Sequence, residues 1–211
     1  MNPFEREYAE WNDFWWEKAG DFSRHRVLLI GDSITRSYRD TVQAIYKPER
    51  IAIDKLCGSR CAGDPILTAE LDLATGPLNG YKYDIIHFNN GLHGGCNDTM
   101  IPLETYKQGI REIVEVLRRN QPQAKLVLVT STHLSAKGDQ SFVIDEELNR
   151  FILERNDFIR EYAAENGFPV NDLWKLVAGS PTFPHQDGVH FEPEAADRLA
   201  EHVAQYIRTL L

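Results

Sequence analysis

The segment Val27-Leu28-Leu29-Ile30-Gly31-Asp32-Ser33-Ile34-Thr35 decides how the rest of the chain is interpreted. Its four consecutive apolar residues are too few for a helix and lack the alternation of a half-exposed strand, so they predict a central parallel strand covered on both faces. Gly31 allows a sharp turn, and Asp32, Ser33 and Thr35 are residue types that cap helices. The segment therefore predicts a strand, a turn and a helix whose N-terminal N–H groups face Ser33, a suitable site for an oxyanion.

The size and composition of the chain indicate one domain. Its 211 residues, 42% of them hydrophobic, can bury a full core, and we find no repeat or linker that divides them. We expect a single domain over residues 1–211. The aromatic residues Phe4, Tyr8, Trp11 and Trp15 recur at helical spacing before Gly20, so residues 1–20 are predicted to form an amphipathic helix packed on this domain.

The charge balance argues against two classes of partner. With 23 basic and 32 acidic residues, a net charge of −9, the chain lacks the concentrated cationic surface that nucleic acids or anionic membranes require. No apolar run approaches the roughly 20 residues that span a bilayer, and the N-terminal residues lack the basic and apolar regions of a signal peptide. We expect a cytoplasmic protein without nucleic-acid or membrane partners, and the oligomeric state stays open.

Apolar segments and helical patterns alternate along the chain. Strands are predicted at 27–30, 50–56, 83–88, 125–130 and 168–171, and helices at 34–46, 65–74, 103–119, 143–166 and 192–211. This alternation is typical of a five-stranded parallel sheet with right-handed crossovers and helices on both faces. Ligands bind such sheets beyond the carboxyl ends of the strands, where the polar and glycine-rich segments of this chain should gather.

A second motif, Asp187-Gly188-Val189-His190, precedes the last helix. A carboxylate and an imidazole three positions apart can share one loop, with the aspartate orienting the ring while its other nitrogen faces a nucleophile. An Asp-x-x-His pair alone is common on surfaces and at helix caps. Its predicted position, however, is the same sheet edge as Ser33, so the chain has a serine, a histidine and an aspartate that can converge.

With these two motifs the chain resembles the SGNH, or GDSL, hydrolase family from Val27 to the last helix. The resemblance implies a flavodoxin-like three-layer α/β/α sandwich. It also implies Ser33 as nucleophile with His190 and Asp187 as its partners. The Gly-x-Ser-x-Gly turn of α/β-hydrolases is not matched, because position 35 is threonine.

The resemblance further implies an oxyanion hole built from the Ser33 loop, a glycine after the second strand and an asparagine after the third. Gly58 corresponds to the glycine. His93 stands where the asparagine is expected, and Asn90 is the competing donor. A histidine N–H can donate to an oxyanion as an amide can.

Other polar residues have two interpretations each. Arg60 is a candidate to bind an anionic part of a substrate, or to pair with a surface carboxylate. His133 is a candidate to line the pocket, or a solvated loop histidine. The cysteines Cys57, Cys61 and Cys96 form no CxxC pair, so free thiols are expected. A metal site made of His93, Cys96 and Asp98 lacks a coherent ligand spacing, and none is predicted.

The family resemblance implies an esterase that needs no metal or organic cofactor. Small acyl esters, acetyl esters above all, are expected because the sequence shows no extended apolar lid segment to hold a fatty chain. An acylated carbohydrate is one substrate class that the resemblance implies. Two alternatives stay open at this point. The same triad can transfer an acyl group to an acceptor other than water, or the fold can serve as a catalytically silent carbohydrate-binding module.

Overall fold

The computed structural model describes residues 4–95, 100–136 and 142–211. It contains a sheet of six strands: β1 (Asn12–Trp15), β2 (Arg26–Gly31), β3 (Ala52–Gly58), β4 (Ile85–Asn89), β5 (Lys125–Val129) and β6 (Val170–Asn171). The strand order is β1-β3-β2-β4-β5-β6, and only the β1–β3 pair is antiparallel. The predicted α/β class with a largely parallel sheet is confirmed, whereas the predicted number of five strands is wrong.

The helices follow the strands in the predicted alternation. They are α1 (Ser33–Tyr46), α2 (Pro65–Thr75), α3 (Leu103–Asn120), α4 (Arg150–Asn166), α5 (Leu173–Val177) and α6 (Pro193–Arg208). Helix α4 begins later than the predicted residue 143 and ends at Gly167, whose φ of 71° provides the left-handed turn. The short helix α5 has no counterpart in the prediction. No helix in the described ranges is both long and apolar enough to cross a bilayer.

The N-terminal segment is where the sequence prediction was wrong. Residues 4–20 contain no helix, and Asn12–Trp15 instead pairs with β3 as an antiparallel edge strand. Phe14 and Trp16 pack against the core while Trp15 between them is 52% exposed, so the aromatic residues follow the two-residue period of a strand. Aromatic residues favour strands. Strand β1 also pairs with the backbone groups at the edge of β3 that would otherwise be left unpaired.

Strand β2 divides the core into two layers. Val27 and Leu29 point into the cluster formed with helices α1 and α6, whereas Leu28 and Ile30 point into the cluster formed with α2 and α3. All four side chains are at most 3% exposed. Burial of each contributes about 1.5–3 kcal/mol to folding. The continuous apolar run is thus explained by a strand that is covered on both faces.

The first polar turn lies where the strand order reverses. The chain passes from β2 to β3 on one side of β2 and then to β4 on its other side. Open α/β sheets bind ligands at such a point, beyond the carboxyl ends of the strands. Ser33 follows the carboxyl end of β2 directly and therefore occupies this position.

Two of the three cysteines lie within the described residues. Cys57 is a buried free thiol, as predicted, and Cys61 is also buried. Burial raises the pKa of the Cys57 thiol, which keeps it protonated. Cys96 lies outside the described residues, as does Asp98, so the predictions made for them have no structural counterpart here.

Candidate active site

The turn between β2 and α1 presents Ser33 as the first residue of the helix. Asp32 is the N-cap, and its Oδ1 accepts a hydrogen bond from the Ile34 N–H at 2.9 Å. Gly31 is required by close packing, because a Cβ there would lie 2.0 Å from Oγ1 of Thr35. Asp32 therefore fixes the turn, as the sequence indicated, and leaves the Ser33 hydroxyl free to face the loop before α6.

Ser33, His190 and Asp187 form one chain of hydrogen bonds. The Ser33 Oγ lies 2.8 Å from Nε2 of His190, and Nδ1 of the same ring lies 2.8 Å from Oδ2 of Asp187. A carboxylate accepts only, so Nδ1 carries a proton and donates a hydrogen bond to Asp187. In the neutral ring Nε2 is then an acceptor for the Ser33 O–H, which is the arrangement that a general base needs.

Backbone groups hold Asp187 in its ionised form. Its Oδ1 accepts from the N–H groups of Val189 at 3.0 Å and of His190 at 2.7 Å. Burial opposes ionisation, but these bonds and the His190 ring outweigh it and hold the pKa of Asp187 well below its ordinary value. Asp187 is therefore a carboxylate throughout the neutral range and can stabilise a protonated His190.

The loop that carries His190 is tied down at several points. The Gln186 N–H donates to the His190 carbonyl at 2.7 Å, and the Ser135 N–H donates to the Gly188 carbonyl at 2.9 Å. Gly188 has a φ of 91°, in the region that favours glycine. Because these bonds fix the backbone on both sides of the ring, the imidazole is oriented before any ligand binds.

An open cleft of about 660 Å³ lies in front of Ser33 and His190. The side chains around it that bear on its chemistry are Trp11, Ser33, Arg36, His93, His190 and Phe191. The His190 side chain is 41% exposed. Water and a polar substrate therefore have direct access to the serine.

The two candidates for the side-chain oxyanion donor occupy different positions. His93 lines the cleft. Asn90 lies in a separate small crevice with Gly58. The Asn90 Oδ1 accepts from the Ala62 N–H at 2.9 Å and its Nδ2 donates to the Arg60 carbonyl at 2.8 Å. Asn90 thus joins the loops that follow β3 and β4, and its side chain is committed to backbone groups.

Gly58 is the last residue of β3. It follows Cys57, the register partner of Gly31, and so ends its strand beside the turn that carries Ser33. A Cβ at this position would lie 2.7 Å from Oδ1 of Asn12 on the edge strand β1. The small residue is therefore required by strand packing as well as suited to the predicted role.

Arg60 does not reach the cleft, which corrects its predicted role in substrate binding. Its guanidinium forms ion pairs with Glu10, with Asp64 at 3.4 Å and with Glu70 at 3.3 Å. Three carboxylates neutralise this one cation and occupy its donors, so it has little left to offer an anionic substrate. Arg60 thus pairs with carboxylates, as the alternative interpretation has it, but its partners are largely buried and are not surface carboxylates.

His133 also does not line the cleft, and it is not a solvated loop residue either. It is 4% exposed and its ring lies edge-on to His185, with centroids 4.5 Å apart. Burial lowers the pKa of His133 to about 4, so the ring is neutral. Its ring also packs against Phe191, at 6.5 Å between centroids, and therefore supports the cleft wall from behind.

Three residues near the serine were missed by sequence reasoning. Arg36 lies one turn after Ser33 on α1, with its guanidinium 5.3 Å from the centre of the Trp11 ring. Trp11 belonged to the aromatic pattern but was assigned to a helix. Glu7 contacts His93 and gave no signal, because 86 residues separate the two. Of these three, only Arg36 could have been predicted, because it lies three residues after Ser33 in a predicted helix and so on the same face.

The sequence also matches a known protein family, and this match does not depend on the positions of the side chains described above. The family model described as "GDSL-like Lipase/Acylhydrolase family" matches residues 29–198. No curated protein sequence matches the chain significantly. The family match includes both motifs, the Ser33 turn and the Asp187–His190 loop.

Solved structures with the same fold include three whose descriptions name esterases or lipases. A GDSL-like lipase from Bacteroides thetaiotaomicron VPI-5482 is 18% identical, with a TM-score of 0.66, 88% of this chain covered and 89% of that one. A carbohydrate esterase family 3 protein from Talaromyces cellulolyticus is 16% identical (TM-score 0.68; 88% and 97% covered). A carbohydrate acetylesterase family member from Sinorhizobium meliloti is 16% identical (TM-score 0.63; 89% and 99% covered). At these identities the likeness establishes the fold.

Proposed function

The chain belongs to the GDSL-like lipase/acylhydrolase family and is a carboxylic ester hydrolase, and on this premise we propose that it cleaves small acyl esters, acetyl esters above all, with Ser33 as nucleophile. The observation that carries the proposal is the chain of two 2.8 Å hydrogen bonds from Ser33 through His190 to Asp187. A serine, a base and an orienting carboxylate in this order form an activated nucleophile.

The reaction proceeds through an acyl-enzyme. The Ser33 Oγ attacks the ester carbonyl carbon while His190 Nε2 accepts the hydroxyl proton. His190 then protonates the leaving alcohol, and the C–O bond to that alcohol breaks. Water enters through the open cleft, gives a proton to His190 and attacks the acyl carbon. The bond between that carbon and Ser33 Oγ then breaks, His190 returns its proton to Oγ, and the free acid leaves. Asp187 stabilises the charged ring in both halves of the cycle.

The negative oxygen of the tetrahedral intermediate needs donors near Ser33. The proposed donors are the Ser33 N–H in the first turn of α1, the Gly58 N–H and the His93 ring. The position of His93 in the cleft supports it over Asn90, whose side chain is bound to backbone groups of the neighbouring loop. Each such donor contributes about 2.7–4 kcal/mol to transition-state stabilisation.

The lining of the cleft supports a small acyl group on a polar alcohol. Arg36 and Asp197 are charged and line the cleft together with Trp11, so its lining mixes charged and aromatic side chains. An indole face binds the apolar face of a sugar ring while charged neighbours meet its hydroxyl groups. An acylated carbohydrate is therefore the proposed substrate class, and the carbohydrate esterase names among the structural relatives agree with it.

Hydrolysis is proposed over acyl transfer because the reacting side chains are open to water. An acyltransferase must keep water from the acyl-enzyme, whereas the His190 side chain here is 41% exposed. Product analysis separates the two reactions. With acetyl ester and a large excess of xylose or glycerol, we expect acetic acid as the dominant acyl product. Acetylated acceptor as the main product would overturn the assignment to hydrolysis.

The direct test is an assay with 4-nitrophenyl acetate for the native chain, Ser33→Ala and Ser37→Ala. Ser37 lines the same cleft one turn further along α1, and its Oγ donates to the Ile34 carbonyl at 2.7 Å, so it is a matched control. We expect loss of turnover in Ser33→Ala alone. Equal rates in the native chain and Ser33→Ala would sink the proposal, and would instead fit a catalytically silent binding module.

A further inference from the structure

The His185 ring connects the loop that carries His190 to the segment 130–135 after β5. Its Nδ1 lies 3.1 Å from Oγ of Ser135, and its Nε2 lies 3.1 Å from the backbone carbonyl oxygen of His133. Ser135 stands 50 residues before His185 in the chain. A single side chain therefore joins two segments that are distant in the sequence.

These two bonds select one form of the His185 ring. A carbonyl oxygen only accepts, so Nε2 carries the proton and donates a hydrogen bond to the His133 carbonyl. Nδ1 of the neutral ring is then an acceptor, and the Ser135 hydroxyl donates to it. Burial lowers the pKa of His185, which favours this neutral ring. Both ring nitrogens are thus bound to the segment 130–135.

The same ring packs against the base of the loop that carries the catalytic residues. It stacks on the Phe191 ring, with the centroids 4.7 Å apart and an angle of 29° between the ring planes. The backbones of His185 and Phe191 also form an antiparallel bridge, which closes the loop that contains Asp187 and His190. Phe191 directly follows His190 and lines the cleft. A shift of the His185 ring would therefore move both the catalytic base and the cleft wall.

The Asp187–His190 pair depends on such anchors for its position. Every hydrogen bond that the structure describes for the Asp187 carboxylate comes from Val189 or His190, within the same loop. The pair is therefore well ordered in itself, but Asp187 does not bind it to the body of the domain. Its distance from Ser33 is set by the contacts that hold the loop as a whole.

Ser135 binds this loop at two points. Its hydroxyl donates to His185, and its N–H donates to the Gly188 carbonyl at 2.9 Å. The two points stand on either side of Asp187 in the chain. The backbone bond needs no particular side chain, whereas the hydroxyl bond exists only because residue 185 offers an acceptor. His185 is therefore the side chain on which the second anchor depends.

We propose that His185 is a positioning residue, which holds the loop of Asp187 and His190 so that His190 stays within hydrogen-bond reach of Ser33. This inference rests on the esterase function proposed above. Among the described residues, those that line the cleft include Phe191 but not His185, so the His185 ring acts from behind Phe191. Loss of the ring should therefore lower kcat and leave KM nearly unchanged.

Three replacements keep different parts of the His185 ring. The amide of His185→Gln can reach the His133 carbonyl, and the Oδ1 of His185→Asn can accept from Ser135, whereas His185→Phe keeps only the stacking on Phe191. A displacement of reacting groups by about 1 Å can cost about 10²-fold in rate. We expect a loss of that size in kcat for 4-nitrophenyl acetate with His185→Phe, and a smaller loss with each amide. An unchanged kcat in His185→Phe would overturn the inference.

His202→Phe is the matched control. His202 is also a half-buried histidine, and its Nε2 lies 3.0 Å from Oδ1 of Asn171, a residue of β6 and not of the loop. Urea unfolding measures stability, and kcat is expressed per folded molecule with the rate of Ser33→Ala subtracted. We expect His202→Phe to lower stability without lowering this kcat. Equal losses of kcat in His202→Phe and His185→Phe would contradict a specific positioning role for His185.

A double-mutant cycle tests whether His185 acts through the catalytic pair. Once Asp187→Asn has disabled the pair, the position of the loop matters less, so His185→Phe should lower kcat much less than it does in the native chain. A loss of the same size in both backgrounds would overturn the inference. Turnover that persists in Ser33→Ala would instead defeat the proposed function, so the two failures are distinguishable.

A readout that does not depend on turnover is the crystal structure of His185→Phe. We expect the distance from Ser33 Oγ to His190 Nε2 to increase beyond hydrogen-bond reach, from 2.8 Å in the native chain, while the bond between His190 and Asp187 is retained. If this variant does not fold, Ser135→Ala removes one of the two bonds and leaves the ring, with a smaller change in the same direction. An unchanged distance between Ser33 and His190 in the variant that folds would overturn the proposal.

Discussion

The cleft contains two histidine–carboxylate pairs of nearly equal geometry and different construction. His190 and Asp187 lie 2.8 Å apart and share one loop, with side chains 41% and 48% exposed. His93 and Glu7 lie 2.9 Å apart, join segments 86 residues apart in the chain, and are largely buried. A carboxylate fixes the proton on Nδ1 in both. The difference is in their surroundings: Nε2 of His190 faces the Ser33 hydroxyl, whereas His93 lines the cleft in front of that serine.

On the proposed mechanism, one type of pairing serves two different roles. The exposed pair can exchange protons with water, which a general base needs in every cycle. The buried pair is held in place by its surroundings and is suited to a fixed position, as electrostatic stabilisation requires. Substitutions that act on proton transfer are therefore expected to have the largest effects, and those that act on positioning or stability smaller ones.

The largest effect is expected for Asp187→Asn. The amide can present its N–H to Nδ1 of His190, which shifts the ring to the wrong tautomer and blocks general-base catalysis, so kcat should fall about 10⁴-fold. Stopped-flow or long-incubation assays with 4-nitrophenyl acetate measure this loss. The melting temperature should change little, because the side chain is exposed. A loss of kcat smaller than about 10-fold would show that Asp187 does not set the tautomer of His190.

A smaller loss of rate is expected for His93→Ala. Removal of one oxyanion donor lowers kcat by about 10²–10³-fold. Asn90→Ala is the matched comparison, since that side chain joins Ala62 and Arg60 instead. It should cost about 1–3 kcal/mol of stability through unpaired backbone groups and less in kcat per folded molecule. Assays and urea unfolding measure the two effects. A larger loss of kcat in Asn90→Ala than in His93→Ala would indicate Asn90 as the donor instead.

Asp64→Asn is expected to act on stability and not on chemistry. The Asp64 side chain is fully buried, forms two 2.9 Å bonds with Arg6, and caps α2 through the Ile66 N–H. Loss of its charge should cost about 3 kcal/mol of unfolding free energy, seen in urea or thermal unfolding. A variant that is as stable as the native chain would contradict a structural role for this pair.

The same carboxylate makes a pH prediction. Burial raises the pKa of Asp64, but hydrogen bonds from Arg6 and Ile66 and the nearby guanidinium groups outweigh it and lower the pKa below its ordinary value. A lowered pKa in the folded state adds stability above the unfolded-state pKa and loses it as pH falls through the folded-state value. The native chain should therefore lose stability in acid, and Asp64→Asn should lose less of it.

The smallest effect is expected for Trp11→Ala. Loss of the indole face should raise KM for an acetylated xylo-oligosaccharide about 10-fold, about 1.4 kcal/mol of binding, while kcat/KM for 4-nitrophenyl acetate changes less. Parallel assays of both esters check this split. Equal losses on the two esters would show that Trp11 supports the fold of the cleft and not the sugar.

The two pairs also show what sequence reasoning can reach. The proximity of Asp187 and His190 to Ser33 could be predicted, because the two residues lie three positions apart in a loop that the strand pattern assigned to the same sheet edge. The turn that carries Ser33 could be predicted because a strand, a glycine and capping residues are all local signals. The position of the core strand β2 could also be predicted, since four consecutive apolar residues indicate a strand that is buried on both faces.

The pairing of His93 with Glu7 was out of reach for a physical reason. The aromatic spacing of the first residues fits a helix as well as a strand, and only the unpaired edge of β3 decides between them. Once β1 is recognised, the segment before it passes beside the cleft and brings Glu7 to His93. The predicted substrate-binding roles of Arg60 and His133 were wrong for the same reason, because the residues that neutralise Arg60 and bury His133 come from distant segments.

The measurement that tests the central claim most directly is identification of the acylated residue. The native chain is mixed with 4-nitrophenyl acetate, quenched in acid within the first turnover, digested with pepsin and analysed by mass spectrometry, with Ser33→Ala treated in parallel. We predict one acetyl group on Ser33 in the native chain and none at any residue of the variant. Acetylation of another side chain with retained turnover in Ser33→Ala would contradict the account.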